Sequence, residues 1–254
     1  KQEIQHQDIE SIFDLETELF PCLVDMRFLG VRVDVEAANQ LKQKLLAEEK
    51  ECLQKVKKET SVDIQIWAAR SIAQVFEKLR LPFDRTEKTN SPSFTKNFLK
   101  NHPHPIVKHI ARAREINKAH TTFIDTILKH EHKGRIHAEI NQLRSDQGGT
   151  VTGRFSYNNP NLQQIPARNK ELGPMIRSLF IPEEGCKWGV FDYSQQEPRL
   201  VVHYAALQNL YGVDDVLDAY QEGDADFHRI VAEMADIPRE QAKTINLGLF
   251  YGMG

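Results

Sequence analysis

One stretch constrains this chain more than any other. Lys187-Trp-Gly-Val-Phe-Asp-Tyr-Ser-Gln-Gln-Glu-Pro-Arg199 sets a single acid, Asp192, between an apolar run and a helix start. Trp188, Val190 and Phe191 favour a pleated, buried surface, and Pro198 suits the first turn of a helix, where its missing N–H costs nothing. The pattern predicts a strand whose carboxyl end holds Asp192 at the mouth of a cleft, where a metal-binding acid belongs. An Asp that merely starts a turn is the plain alternative, and the motifs elsewhere in the chain bear on the choice.

A second stretch, Pro238-Arg-Glu-Gln-Ala-Lys-Thr-Ile-Asn-Leu-Gly-Leu-Phe-Tyr-Gly-Met-Gly254, reads as a helix that Gly252 can end. Arg239 and Lys243 lie one turn apart, so both cations point from one face, and Tyr251 lies two further turns along. Free N–H groups at a helix N-terminus also favour anions, which makes the pair a candidate phosphate clamp. Arg brings a planar fork of donors and Lys a compact charge. A solvated cationic face is the other reading.

Together the two stretches resemble motifs A and B of the family A DNA polymerases, the group that includes bacterial DNA polymerase I. Asp-Tyr-Ser-Gln-x-Glu-x-Arg at 192–199 resembles motif A, and Arg-x-x-x-Lys-x-x-x-x-x-x-x-Tyr-Gly at 239–252 resembles motif B. Thr152-Gly-Arg-Phe-Ser-Tyr-Asn-Asn-Pro-Asn-Leu-Gln-Gln-Ile-Pro166 looks like the family's primer-template segment. Arg85-Thr-Glu-Lys-Thr89, followed by Ser91-Pro-Ser-Phe-Thr95, is similar to its thumb segment. The resemblance implies an α+β fold of right-hand polymerase architecture, with a helical thumb, part of the antiparallel palm sheet and part of the helical fingers. It places a palm-entry segment at 1–34, the thumb at 35–134, the palm with motif A at 135–199 and partial fingers with motif B at 200–254.

The resemblance also implies roles. Asp192 is the catalytic metal ligand, joined by the backbone carbonyl of Tyr193, on two Mg2+ ions with Mn2+ as a substitute. Such ions prefer oxygen ligands; one lowers the pKa of the primer 3′-hydroxyl and one binds the triphosphate. Gln195, Glu197, His228, Arg239, Lys243, Leu247 and Tyr251 form the nucleotide-binding set. Within it, Arg239, Lys243 and His228 hold the triphosphate oxygens, and Lys243 also donates a proton to the leaving pyrophosphate. Glu197 lies below the sugar and leaves no room for a 2′-hydroxyl; the related single-subunit RNA polymerases share the motif B spacing but lack this Glu. Tyr251 stacks at the template slot. Leu247 stands where well-known members carry Phe or Tyr, so ring stacking is lost there. Arg154, Asn161 and Gln163 are donors for the minor-groove acceptors that every base pair presents, and Arg85 and Lys88 are duplex-backbone contacts.

The family's third motif, which supplies a second metal-binding Asp after a His, does not occur in this sequence, nor do the carboxylates of its proofreading exonuclease. One Asp holds two metals poorly. The expectation is therefore the amino-terminal piece of a split, cleaved or truncated polymerase, working with primer-template DNA, a dNTP and a second polypeptide that carries the remaining fingers and palm. Two readings from other classes stay open: a noncatalytic primer-template binding module, and a metal-dependent phosphohydrolase using Asp192.

A chain of 254 residues, 40% hydrophobic and 27% charged, falls in the soluble globular range, as one large domain or two smaller ones. No apolar run approaches the roughly 20 residues of a spanning helix and no signal peptide opens the chain. That fits the cytoplasm of a bacterial or phage-infected cell, or an organelle interior. Cys22, Cys52 and Cys186 are widely separated and odd in number, which argues against a disulfide framework or structural zinc site. The net charge of -3 does not suggest nucleic acid, but a whole-chain sum hides local basic grooves.

Apolar spacing predicts a helix over Asp8–Leu29 broken at Pro21, a short strand at Val31, Val33 and Val35, and a long amphipathic helix over Val35–Glu59. Helices follow over Ser71–Leu79, Lys96–Leu99 and Ile106–His130, then a strand or ribbon over Arg135–Leu143. The Ile106–His130 helix presents Lys108, Arg112, Arg114 and Lys118, either as a phosphate-tracking surface or as a solvated basic face. Further helices are expected after motif A and around Ile230–Met234. The pairs His102/His104 and His130/His132 lack the further ligands a zinc site needs.

Overall fold

In the computed structural model, residues 2–146, 148–167, 169–223 and 226–253 are described; the terminal Gly254 of the motif B stretch lies outside them. Helices joined to short antiparallel strand pairs give an α+β chain. It divides into two units, one up to Lys187 and one from Trp188. Among the described residues no helix is long and apolar enough to cross a membrane.

The first unit opens with α1 (Gln2–His6) and α2 (Glu10–Leu29). Instead of breaking at Pro21, α2 runs through it as one helix. Proline forfeits one ladder hydrogen bond, but the helical residues on both sides keep theirs. Gly30 then turns the chain into β1 (Val31–Arg32) with φ 66°, and a Cβ there would meet Ile136 O and His137 Nδ1 at 2.7 Å. Both the positive φ and the close approach therefore require glycine.

Asp34 caps α3 (Val35–Thr60) by accepting the Ala37 N–H at 2.8 Å. The buried face of α3 carries Ala38, Leu45, Cys52 and Val56, at the helical spacing expected. After it come α4 (Ala69–Lys78), the two-stranded pair β2 (Asp84–Arg85) and β3 (Pro92–Ser93), α5 (Lys96–Asn101) and α6 (Pro105–Lys118). Pro105 opens α6, and His104 Nδ1 accepts the Ile106 N–H at 3.2 Å. The core between α3, α4, α5 and α6 centres on Phe76, whose ring has Phe94, Phe98 and Phe83 at 4.8, 5.8 and 6.0 Å.

The single α-helix expected over Ile106–His130 is interrupted. A π-helical turn, Ala119–Ile124, separates α6 from α7 (Asp125–His130). The wider turn lets both His120 and Ile124 point inward. His120 is tolerated there because its Nε2 lies 2.6 Å from Glu49 Oε2 on α3. Glu49 in turn accepts from Asn117 Nδ2 at 3.0 Å, and Asn117 Oδ1 accepts from Trp67 Nε1 at 2.8 Å.

The ribbon expected over Arg135–Leu143 also divides. β4 (Glu131–His132) and β1 flank β5 (Arg135–Ile136) in one antiparallel sheet, while β6 (Glu139–Asn141) pairs with β7 (Ser156–Asn158) in another. A 3₁₀ turn at Leu162–Gln164 and α8 (Leu172–Arg177) follow. A second core joins Val33, Leu45, Ile116, Ile127, Ile136 and Ile176.

Arg112 on α6 holds three segments at once. Its Nε donates to Glu48 on α3 at 2.7 Å, its Nη1 and Nη2 to Glu171 before α8 at 2.8 and 2.5 Å, and its Nη1 lies 3.4 Å from Glu115. Partial burial opposes the charge, yet the carboxylate hydrogen bonds hold its pKa above the ordinary arginine value.

The second unit is helical: α9 (Gln196–Leu207), α10 (Val213–Gln221), α11 (Phe227–Ala235) and α12 (Arg239–Phe250), around Val202, Val213 and Tyr220. The strand expected at Trp188–Phe191 does not form. That segment is irregular, with Val190 and Phe191 90% and 95% exposed. β-Propensity expresses packing on a neighbouring strand, and the described residues of this unit contain none.

Replacing Arg112 with Met strands Glu48, Glu115 and Glu171 beside one another. Because the guanidinium is only partly buried, the expected loss is about 1–3 kcal/mol, below that of a fully buried pair, read by urea denaturation of the whole chain.

Candidate functional site

The N-terminal ends of α11 and α12 are tied together by one carboxylate. Asp226 Oδ1 accepts the Arg229 N–H at 3.1 Å and so caps α11, while Oδ2 accepts from Arg239 Nε at 2.7 Å at the first residue of α12. Burial works against the ionised Asp226, but the hydrogen bonds from Arg239 and Arg229 hold its pKa below the ordinary carboxylate value. Lys243 follows Arg239 by one turn and is exposed, as the spacing predicts.

His228 is buried, 3% exposed, with Nδ1 3.1 Å from Nδ2 of Asn246, itself buried on α12. With the amide nitrogen donating, Nδ1 is the acceptor and the proton sits on Nε2. Burial lowers the His228 pKa; Arg239 and Lys243 lower it further, against Asp226 and Glu197, which raise it. His228 therefore presents a neutral imidazole N–H among two cations and two acids.

The motif A helix joins this cluster through two residues. Gln195, in the left-handed region at φ 53°, accepts at Oε1 from the Phe227 N–H at 2.9 Å and from the Tyr220 hydroxyl at 3.3 Å. Glu197 accepts from the Tyr251 hydroxyl at 2.5 Å. Predicted nucleotide-site residues from motifs A and B thus touch across 54 positions of sequence. Leu247 is half-buried on α12 beside Asn246.

Asp192 and Tyr193 stand apart from the expected arrangement. Both are exposed on the irregular segment before α9, not at a strand tip, and among the described residues Asp192 makes no ion pair with Arg239 or Lys243. The reason is the missing sheet: among the described residues of this unit no strand pairs with the segment to hold it extended. Among the described residues no cluster of three His, Cys, Asp or Glu is arranged for a metal.

A family model for DNA polymerase family A matches residues 35–254. This chain belongs to DNA polymerase family A. It is 38% identical over its whole length to a DNA-directed DNA polymerase of Pseudomonas phage M6, covering 41% of that protein. It is 36% identical to the thermostable DNA polymerase I of Thermus aquaticus, over 94% of this chain and 29% of that protein. Among solved structures it is similar to the POL domain of Pol1 from M. smegmatis in complex with DNA primer-template and dNTP. That likeness has a TM-score of 0.76 at 25% identity and covers 100% of this chain and 45% of that one. The chain thus spans less than half the length of these relatives.

In this family A chain the DNA-contact candidates of the first unit are partly engaged internally. Arg85 Nη1 donates to Asn90 O at 2.9 Å and its guanidinium lies 5.2 Å from the Phe83 ring centre; Lys88 is exposed on the same loop. Asn161 Oδ1 caps the 3₁₀ turn through the Gln163 N–H. Gln163 bonds Phe155 O and the Tyr157 N–H at 3.0 and 3.3 Å, while Arg154 is exposed. The basic face of α6 divides. Arg114 turns inward onto Ile66 O and Phe94 O at 2.6 and 2.8 Å, and Arg112 is held by carboxylates. Lys108 and Lys118 line a groove of about 580 Å³ with Lys96 and Lys100, and the internally paired Arg112 and Arg114 border it too.

In this family A chain Asp226, Tyr220 and Asn246 are supports of the candidate site that sequence alone does not single out. Only Asp226 had a local signal, an acid three residues before Arg229 at a helix start.

Because the folded His228 resists a proton that the unfolded chain accepts near pH 6.5, its contribution to stability is present above that pH and lost as pH falls below it. Melting curves between pH 5 and 8 should show that loss, and His228→Asn should flatten it.

Proposed function

We propose that this chain supplies the nucleotide clamp, the sugar gate and much of the primer-template surface of a template-directed DNA polymerase. The reaction is transfer of a nucleotide from a dNTP to a primer 3′-hydroxyl. In this reading residues 1–34 enter the palm, 35–134 are thumb, 135–199 palm and 200–254 fingers. The observation that carries it is the meeting of Arg239, Lys243 and the neutral His228 Nε2–H beside the Glu197–Tyr251 pair.

Cationic donors on α12 match the charge that grows on the phosphate oxygens during transfer. Arg239 and Lys243 bind and orient the triphosphate, His228 adds a directional hydrogen bond, and Lys243 holds a proton for the departing pyrophosphate. Glu197, kept in place by Tyr251, occupies the space a 2′-hydroxyl needs and selects deoxynucleotides. Leu247 offers an aliphatic surface to the incoming sugar. Gln195 holds the α9 start against α11, so the acid and the clamp share one support.

Asp192 is exposed and without an ion-pair partner among the described residues, so its carboxylate, with the Tyr193 carbonyl, fits the hard oxygen donors a Mg2+ ion takes. Divalent ions bound there supply charge neutralisation and a more acidic primer hydroxyl. A second carboxylate comes from protein outside residues 1–254, in the same polypeptide or in a second one. On the first unit, Arg85, Lys88 and the groove lysines face duplex phosphates, and Arg154, Asn161 and Gln163 face the minor groove.

Primer extension by the full protein tests the reading. Asp192→Asn should lower incorporation by about 100-fold or more, a loss typical of removing a preorganised electrostatic group, with DNA affinity retained. Extension at the wild-type rate refutes the role. Primer-template binding by the wild type with no incorporation points instead to a noncatalytic binding module. Glu197→Ala should raise ribonucleotide incorporation at unchanged primer affinity; unaltered sugar choice counts against the gate.

A further inference from the structure

Asp226 belongs to neither motif, yet it is the carboxylate through which α11 and α12 meet, and its two oxygens have separate work. Oδ1 is occupied by the Arg229 N–H at the head of α11, and Oδ2 receives Arg239 from its Nε side at 2.7 Å. Held at Nε, the guanidinium has no other partner among the described residues for its two terminal amino groups. Those form the fork that grips a phosphate bidentately. Asn or Ser at this position has one acceptor oxygen, sufficient for the cap but not for the cap and Arg239 together. An arginine side chain free of such a contact samples many rotamers, and ordering it on ligand binding costs affinity.

We infer that Asp226 is a positioning residue for the nucleotide site, fixing the Arg239 guanidinium by its Nε so that its terminal amino groups are ordered before a triphosphate arrives. This rests on the nucleotide-clamp reading above. The opposite role is a rival anion that occupies Arg239 until nucleotide displaces it. The sign of the affinity change separates the two.

The test uses Asp226→Ser and Asp226→Asn in the full protein, read by the nucleotide-concentration dependence of single-nucleotide incorporation. Both variants keep an α11 cap, so melting temperatures should stay near wild type. Positioning predicts a dNTP dissociation constant raised about 5–10-fold, the scale of one lost charge-assisted contact, with the maximal rate little changed. In an Arg239→Ala background, Asp226→Ser should add nothing, because the carboxylate acts through that side chain. Tighter nucleotide binding in the single variants, or additive losses in the double variant, would overturn the inference. If Arg239→Ala alone leaves nucleotide affinity unchanged, the clamp reading itself falls; if Arg239→Ala weakens binding and Asp226→Ser does not, only the positioning role falls.

Discussion

The antiparallel seam between α3 and α6 is the contact on which the first unit rests. Apolar residues fill it, but three polar connections set its register: Arg112 to Glu48, Asn117 to Glu49, and His120 to Glu49. Apolar packing alone tolerates sliding by a turn, whereas hydrogen-bonded carboxylates between two helices do not. The same Arg112 reaches Glu171 before α8, so the segment that follows the 3₁₀ turn is registered on the helical seam too. The π turn belongs to this logic, since it brings His120 to Glu49 while leaving Ile124 in the neighbouring core.

The helices were largely legible from sequence because their signals are local. Asp34, Thr95 and Pro105 sit where a helix start needs them, and the apolar spacing of α3 and α4 matches their buried faces. Failures came where structure depends on distant partners. Trp188, Val190 and Phe191 have the composition of a strand, but the described residues of their unit contain no strand for them to pair with. The basic stripe of α6 was read by charge alone, and what became of Arg112 and Arg114 depended on Glu171 and on the carbonyls of Ile66 and Phe94.

The candidate site was legible as a set of residues and illegible as an arrangement. Helical spacing singled out Arg239 and Lys243, and the family resemblance added Glu197 and Tyr251, which the fold joins directly. Nothing in the spacing disclosed that Asn246 would orient the His228 ring or that Tyr220 would support Gln195, because both are cross-helix contacts made by residues with no charge. The supporting shell is thus harder to read than the residues it supports.

Gln195 has a mechanical consequence. It lies three positions after Asp192, and its amide oxygen is bound to the backbone N–H immediately before His228. Any tilt of α11 therefore tugs the root of the segment that carries the acid. Movement of α11 and the course of the segment that carries Asp192 are thus geared to one another through this amide, so a shift in one is felt in the other.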